Sequence, residues 1–211
     1  MPPLVIGHRG FPARHPDNSL AGIAAALAAG ADGVEVDVRP SADGVWVCHH
    51  DLAYRGRPVR EWSAAALGDG GVPSLEDVVG AVPRDRWLFV EVKPLAAVVL
   101  RAGLGELRRL LLPRRGTTLV ISFSLPVLAA MGEGTPELGR SWVVDRMPEG
   151  GVPQGVALSP FHRLVEALLP AGVPLHPWAP STRPRLAELA GSGVVSITTN
   201  RPDVLVEVLR G

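Results

Sequence analysis

The sequence contains one cysteine, Cys48, so an intramolecular disulfide is excluded. Its first residues, 1–4, have neither the basic residues nor the apolar stretch of a secretory signal. No apolar run approaches the roughly 20 residues that a membrane-spanning helix requires. We therefore expect a cytoplasmic protein without a transmembrane segment.

Net charge is also absent, because 21 Lys and Arg residues balance 21 Asp and Glu residues. This balance gives no reason to expect nucleic acid or an anionic membrane as a partner. A small anionic substrate stays possible, since it needs only local positive charge. No apolar run leads into a glycine-rich loop of the dinucleotide-binding or P-loop type, which weakens the case for an open, doubly wound sheet.

Short apolar runs and helical patterns alternate along the chain. Nine runs are predicted as β-strands: 3–7, 33–38, 45–48, 87–92, 118–122, 141–144, 155–158, 173–176 and 194–198. Helices are predicted at 19–29, from 74 onward, and at 95–112, 161–169, 183–190 and 202–209. This alternation predicts a parallel sheet, and the number of repeats favours a closed barrel over an open sheet. The 211 residues suffice for one core, so we predict a single domain over residues 1–211 with a TIM-type (β/α)8 barrel of the α/β class.

The run at 45–48 is one strand more than the barrel needs. Residues 41–44 are too short for a parallel crossover and contain the hairpin signal Asp43-Gly44. We expect a hairpin that brings His50 back to the level of Glu35. A short cap segment, residues 52–71, follows His50.

Ionisable residues end four of these apolar strands, where packing gives no reason for them. Glu35 and Asp37 lie two residues apart, so both point to one face of their strand. Glu91 and Lys93 repeat this spacing on another strand. Three carboxylates with no cysteine among them suit a hard cation, Mg²⁺ or Ca²⁺ rather than Zn²⁺. The alternative is a buried ion network in which Arg9, Arg39 and Lys93 neutralise the three carboxylates.

Two histidines occur at strand ends beside the carboxylates. His8 follows the first strand, at the end of a TIM barrel that carries the active site, and His50 follows the hairpin strand. Imidazoles titrate near neutral pH, so this pair suits a general base and a general acid around a phosphate. Arg9 and Lys93 are candidate phosphate ligands, or counter-ions of the carboxylates, or both. The remaining histidines are interpreted as surface or packing residues: His15, His49, His162 and His176.

Several short motifs occur in order along the chain. They are His8-Arg9-Gly10, Pro16-Asp17-Asn18-Ser19, residues 30–38, Asp43-Gly44, His50-Asp51, residues 72–77 and residues 90–94. In this order and at these spacings they resemble the glycerophosphodiester phosphodiesterases. Weaker similarities follow in Ser122-Phe123, Trp178 and residues 198–202, so the resemblance extends over nearly the whole chain.

The resemblance implies a TIM-type barrel that hydrolyses deacylated phospholipids, such as glycerophosphocholine, to glycerol 3-phosphate and an alcohol. Glu35, Asp37 and Glu91 would hold one divalent cation, and His8 and His50 would carry out acid–base catalysis. Arg9 and Lys93 would contact the phosphate. Trp178 would line the pocket on the glycerol or leaving-group side.

The chain departs from the family pattern at several places. Asp17 stands where Glu is usual, Asn200 stands where Asp is usual, and the cap at 52–71 is short, with arginines at 55, 57 and 60. Two alternative functions stay open. One is a phospholipase D-like enzyme for lysophospholipids, which would need an apolar patch near the barrel mouth. The other is a catalytically silent barrel that binds a phosphodiester.

Overall fold

The computed structural model describes all 211 residues. Its β-strands are β1 (Leu4–Gly7), β2 (Gly33–Pro40), β3 (Trp46–Cys48), β4 (Ala53–Tyr54), β5 (Arg57–Pro58), β6 (Trp87–Val92), β7 (Thr118–Ser122), β8 (Gly139–Val144), β9 (Ala157–Pro160) and β10 (Ser196–Thr199). Its α-helices are α1 (Leu20–Ala28), α2 (Ala64–Asp69), α3 (Leu75–Ala81), α4 (Ala97–Leu111), α5 (Leu125–Gly134), α6 (Val165–Leu168), α7 (Arg183–Ala190) and α8 (Pro202–Arg210). None of these helices has the length and apolar character needed to span a membrane.

Seven parallel strands form most of a barrel, in the order β10, β1, β2, β6, β7, β8 and β9. The eighth position is filled by an extended stretch, residues 174–178, which we call the closing segment. His176 N–H donates to Leu158 O on β9, and Thr198 N–H of β10 donates to Pro177 O. Pro174 and Pro177 have no N–H to donate, so the closing segment lacks a regular ladder although it joins both neighbours. The predicted TIM-type barrel is confirmed.

The predicted hairpin is also confirmed. β3 runs antiparallel to β2, with Val38 opposite Cys48 and Pro40 opposite Trp46. The next ladder hydrogen bond joins His49 N–H to Asp37 O at 3.0 Å, just before the chain reaches His50. The hairpin therefore returns His50 to the carboxyl end of β2, as the turn signal at Asp43-Gly44 predicts.

Two apolar layers support the barrel. The larger layer packs the outward-facing side chains of the strands, such as Val34 and Val36 of β2, against the helices. The smaller layer fills the barrel interior with Ile6, Phe89, Leu119, Ile121 and Val143. Inward-facing Glu35 and Asp37 lie on the same strand as the outward-facing valines, as the two-residue period requires. The polar groups of β2 therefore lie inside the barrel.

Several helix predictions need correction. The helix predicted at 161–169 is only one α-helical turn, α6, with 3₁₀ turns on either side, and Pro170 lies in the second of these turns. The helix predicted from 95 begins at Ala97 instead, because the N-cap residue, Ala96, is extended, with φ −64° and ψ 141°. Two helices were missed, α5 and the short α2 of the cap. Ser74 and Asp77, in contrast, form the expected capping box at the start of α3.

Candidate active site

A cavity of about 100 Å³ opens at the carboxyl ends of the barrel strands. Seven of the eight predicted site residues line it: His8, Arg9, Glu35, His50, Glu91, Lys93 and Trp178. The eighth, Asp37, is fully buried and contacts both Lys93 and Arg9. The fold therefore brings together side chains from five separate parts of the chain.

The His8-Arg9-Gly10 turn places the first two of these side chains. Arg9 has the left-handed φ of 51°, uncommon for a residue with a side chain, and its N–H donates to Glu35 Oε2 at 2.9 Å. Gly10 has a φ of 86°, and a Cβ there would lie 2.7 Å from the backbone of Gly22. Glycine is therefore required at the point where the turn packs on α1.

The three carboxylates come together through the pairing of β2 with β6. The register places Asp37 opposite Glu91, and Glu35 lies one step deeper on the same face. All three are buried, and one oxygen from each lies within 4.8 Å of the others. Lys93 Nζ bridges two of them, at 2.6 Å from Asp37 Oδ1 and 2.5 Å from Glu91 Oε1.

Burial and neighbouring charges shift the pKa values of the three carboxyls in different directions. Burial, then the charges of Asp37 and Glu91, raise the pKa of Glu35 well above its usual value. Burial also acts on Asp37, but Lys93 and Arg9, together with hydrogen bonds, lower the pKa of this carboxyl. Burial raises the pKa of Glu91 despite the opposing charge of Lys93. The negative charge is thus best satisfied at Asp37 and least at Glu35.

A cation fits this donor set better than a closed ion network does. Only two cationic side chains, Arg9 and Lys93, contact the three carboxylates, so one negative charge stays unbalanced. Glu35 Oε1 is buried and has no hydrogen-bond partner. Oxygen donors of this type suit a hard divalent ion. The acidic cluster can therefore hold a metal ion, and Arg39, the third cation of the network interpretation, forms no ion pair with it.

His8 is fixed by a partner at the end of β10. Its Nδ1 lies 2.6 Å from Asn200 Oδ1, so Nδ1–H donates and Nε2 is left without a proton. Nε2 points into the site, 3.9 Å from Glu35 Oε2. Burial, followed by the charge of Arg9, lowers the pKa of His8 to about 4. A neutral imidazole with a free Nε2 is suited to accept a proton.

His50 is held in two ways beyond the end of β3. Its Nδ1 lies 2.8 Å from Asp51 Oδ1, which makes Nδ1 the donor. Its backbone carbonyl accepts two hydrogen bonds from Arg39, from Nε at 3.1 Å and from Nη2 at 3.0 Å. His49, in contrast, packs edge-on against Tyr54 outside the cavity, so its interpretation as a packing residue is confirmed.

The opposite wall of the cavity is aromatic. Trp178 packs edge-on against Phe123 and Phe161, at ring distances of 5.6 and 5.4 Å. Its indole N–H donates to Ser159 O at 2.9 Å, which fixes the ring at the mouth. His176, interpreted from sequence as a packing residue, also forms part of this wall, where its Nδ1 lies 2.8 Å from Ser196 Oγ.

Three supporting residues were missed as site residues, although two of them lie in the motifs. The Asn18 side chain donates to Asp37 Oδ2 at 2.9 Å and accepts from Asp37 N–H at 3.0 Å. Asn200 orients His8, and Arg39 holds the backbone of His50. Asp17, the noted departure from the family pattern, contacts Arg9 Nη1 at 2.7 Å. The shorter side chain of aspartate therefore reaches Arg9 within the site.

Comparison with known proteins shows which proteins the chain is similar to. A sequence model of the glycerophosphoryl diester phosphodiesterase family matches residues 8–95, the segment that supplies His8, His50 and all three carboxylates. The glycerophosphodiester phosphodiesterase of Caldanaerobacter subterraneus subsp. tengcongensis is 25% identical over 243 residues, covering 100% of this chain and 99% of that protein. Over this segment and along the whole chain, the protein is therefore similar to the glycerophosphodiester phosphodiesterases.

Solved structures named for this activity share the fold. A glycerophosphodiester phosphodiesterase from Parabacteroides distasonis superposes with a TM-score of 0.83 at 21% identity, covering 98% of this chain and 96% of that one. An Oleispira antarctica phosphodiesterase in complex with the product sn-glycerol-3-phosphate gives 0.83 at 20% identity, covering 100% and 98%. The family barrel therefore extends over the whole chain, beyond the segment that the sequence model matches.

Proposed function

We propose that this protein is a metal-dependent phosphodiesterase that hydrolyses glycerophosphodiesters, such as glycerophosphocholine, to glycerol 3-phosphate and an alcohol. One observation carries the proposal: a single small cavity is lined by two oriented histidines, Arg9, Lys93 and two of the three clustered carboxylates, and the third carboxylate, Asp37, is buried against Arg9 and Lys93. Similarity to the glycerophosphodiester phosphodiesterases supports the substrate class. The Oleispira antarctica relative holds glycerol 3-phosphate as its product.

Glu35, Asp37 and Glu91 would hold one divalent cation, and their oxygen donors favour Mg²⁺ or Ca²⁺. When bound there, such an ion withdraws negative charge from the phosphoryl oxygens. Arg9 and Lys93 are placed to contact the same phosphate, because both line the cavity next to the carboxylates. Asn18 keeps Asp37 in position by its two hydrogen bonds.

The histidines divide the proton transfers. His8 acts as the general base, because Asn200 fixes its tautomer and its Nε2 is free. It accepts the proton of the attacking hydroxyl, which is water or the substrate's own glycerol 2-hydroxyl; the neighbouring 2-hydroxyl has the higher effective concentration. Attack by the 2-hydroxyl expels the alcohol and leaves a cyclic phosphate. In a second step water adds to the phosphorus and the 2-oxygen leaves with a proton, which gives glycerol 3-phosphate. His50 is the general acid that protonates the leaving alcohol. Asp51 holds Nδ1–H, and the Nε2 proton of His50 is the one transferred.

The two alternatives receive less support. A silent binding barrel predicts the loss of a histidine or of a ligand carboxylate, and all five are present in one site. The curated relatives with an assigned activity carry the name of a glycerophosphodiester phosphodiesterase rather than of a lysophospholipase. The single-domain organisation and the cytoplasmic location inferred from the sequence stay predictions.

The test is the release of glycerol 3-phosphate from glycerophosphocholine and glycerophosphoglycerol, in Mg²⁺, Ca²⁺ or EDTA. We expect cation-dependent release that His50→Ala lowers by about 10²–10⁴-fold, the usual contribution of a general acid. His49→Ala is the matched control, since this neighbour lies outside the cavity. Absence of release from folded, metal-loaded protein, or equal losses in both variants, would contradict the proposal.

A further inference from the structure

A second cavity, of about 740 Å³, lies beside the catalytic one, between the β2–β3 hairpin, the cap and the start of α4. Its lining is mainly aliphatic and includes Leu52, Val59, Leu95, Val98 and Val99. Leu52 is 64% exposed and Val98 is 75% exposed. We call this cavity the side groove. Large apolar side chains gathered in one concave, exposed place mark a binding surface.

The side groove adjoins the catalytic cavity at two points. Lys93 lines the catalytic cavity, and the next residue, Pro94, lines the side groove. Arg39 also lines the side groove, and its guanidinium donates twice to the carbonyl of His50, which lines the catalytic cavity. The side groove therefore begins next to His50, the proposed acid for the leaving alcohol.

The catalytic cavity is too small to hold a whole phosphodiester. At about 100 Å³ the catalytic cavity is far smaller than the side groove and than a typical ligand pocket of about 300–1,000 Å³. Both arms of a phosphodiester must then extend out of it. The aromatic wall at Trp178 lies on one side, and His50 and the side groove lie on another.

The charge of the side groove restricts what it can bind. Two of its lining residues are arginines, Arg39 and Arg60, and none is acidic. Arg39 forms no ion pair: its contacts are with a carbonyl, although it feels Asp37, Glu91 and Asp51 at longer range. The Arg60 side chain is 70% exposed, and its one carboxylate neighbour, Glu61, is 4.0 Å away. Arg57 lies closer to the same carboxylate, at 3.4 Å. The arginines leave donors for an anion and repel an ammonium group.

We propose that the side groove binds the alcohol half of the substrate and selects an aliphatic alcohol with an anionic end group, such as a carboxylate. This inference rests on the proposed function and refines it. The aliphatic floor holds the carbon skeleton, and Arg60 at the rim meets the anionic end. Diesters of cationic alcohols such as choline and ethanolamine stay substrates of the proposed reaction, but with a lower kcat/KM than diesters of anionic alcohols.

The experiment compares three diesters of glycerol 3-phosphate that differ only at the end of the alcohol: those of hexanol, ε-hydroxyhexanoate and ε-aminohexanol. Release of glycerol 3-phosphate is the common readout, and the measured quantity is the ratio of kcat/KM for the carboxylate ester to kcat/KM for the ammonium ester. We expect a ratio well above one in the wild type. Arg60→Gln should lower it about fivefold, the upper range for an exposed ion pair, and Arg60→Glu should lower it further.

Arg115→Glu is the matched control, because it changes the net charge equally at an exposed site outside the side groove. A ratio at or below one in the wild type, or the same change in Arg60→Glu and Arg115→Glu, would overturn the assignment. The assignment would also be overturned if the protein cleaved a palmitoyl lysophosphatidylglycerol faster than glycerophosphoglycerol and Val98→Asp removed this difference. An acyl chain would then occupy the side groove. Release from none of the three diesters by metal-loaded wild type would instead reject the proposed function itself.

Discussion

The Glu35 side chain lowers the stability of the free protein at a position where the proposed cation would bind. Its Oε1 is buried without a partner, and its pKa is raised by burial and by two neighbouring carboxylates. A carboxyl whose pKa is raised in the folded state lowers stability as the pH rises from its ordinary pKa of 4.5 to the raised pKa, and the loss is complete above the raised pKa. The charge is costly in the free protein and becomes useful only when a cation is bound.

Glu35→Gln should therefore separate stability from metal binding. Without a divalent cation, at pH 8, we expect the free energy of unfolding to rise by about 1–2 kcal/mol, because a buried like charge is removed. Added Mg²⁺ or Ca²⁺ should raise the Tm of the wild type with concentration and leave that of the variant unchanged. Thermal melts in EDTA and in each metal measure both effects.

Glu133→Gln is the control for that pair of melts, since Glu133 is exposed and forms no ion pair. A destabilised Glu35→Gln protein in EDTA would show that the carboxylate supports the fold. An equal metal-induced shift in the variant and the wild type would show that the cation binds elsewhere.

Two buried histidines make the protein sensitive to acid. Burial lowers the pKa of His8 and of His176 to about 4, against 6.5 for a free imidazole. The unfolded chain binds these protons first, so each histidine lowers stability as the pH falls from 6.5 to 4, by up to about 3 kcal/mol. Above 6.5 both are neutral in either state and the effect is absent.

His176→Gln should remove one of these contributions. The free energy of unfolding of the variant minus that of the wild type should rise by about 2–3 kcal/mol between pH 7 and pH 4. Urea denaturation in EDTA at both pH values measures this difference, in which the contributions of the carboxyls cancel. A difference that does not change with pH would contradict the lowered pKa of His176.

At the scale of elements, the chain that leaves the β2–β3 hairpin is held in place by one arginine side chain. The ladder between β2 and β3 ends at His49, and beyond it the carbonyl of His50 is held by Arg39. Sequence reasoning placed Arg39 only among possible counter-ions of the carboxylates. It could not foresee this contact, because the donor and the acceptor meet only after the hairpin has formed.

Arg39→Gln should lower kcat for glycerophosphoglycerol by about tenfold and change KM less, since small displacements of a catalytic group are costly. Arg39→Lys, with one donor group instead of a fork, should give an intermediate kcat. Steady-state kinetics, with a thermal melt to verify folding, measure this. An unchanged kcat would show that His50 keeps its place without the two hydrogen bonds.

Local signals predicted some elements, while two elements depart from that pattern. The capping box at Ser74 and the Asp43-Gly44 turn are local devices, and both form. The closing segment was predicted as a strand at 173–176, but its two prolines deny it a regular ladder and the barrel contacts hold it extended. The helix α5 was missed, although Ser124 caps it.

At the scale of the whole molecule, the barrel closes and the cap is small. The cap packs a minor apolar cluster, Val47, Val59, Leu67 and Val72, against the hairpin. The closing segment ties β9 to β10 and so joins the two ends of the chain. These contacts support the prediction that residues 1–211 fold as one domain.

We expect one cooperative unfolding transition, with the same urea midpoint by far-ultraviolet circular dichroism and by tryptophan fluorescence. The five tryptophans report on different parts, since Trp62 lies in the cap and Trp178 in the closing segment. A variant that keeps only Trp62 tests the cap alone. If the fluorescence midpoint of that variant lay at a lower urea concentration than its own circular dichroism midpoint, the single-domain prediction would be contradicted.

The sequence by itself determined the alternation of strands and helices, the hairpin and the identity of the carboxylates, histidines and cations of the site. These features follow from periods and turn signals that operate over a few residues. Only the tertiary structure decided which partners hold those groups: Asn18 on Asp37, Asn200 on His8, and Arg39 on His50. The Asn200 contact joins residues 192 positions apart, and the side groove is formed by three separate segments. Such contacts depend on barrel closure and strand register, which no local pattern specifies.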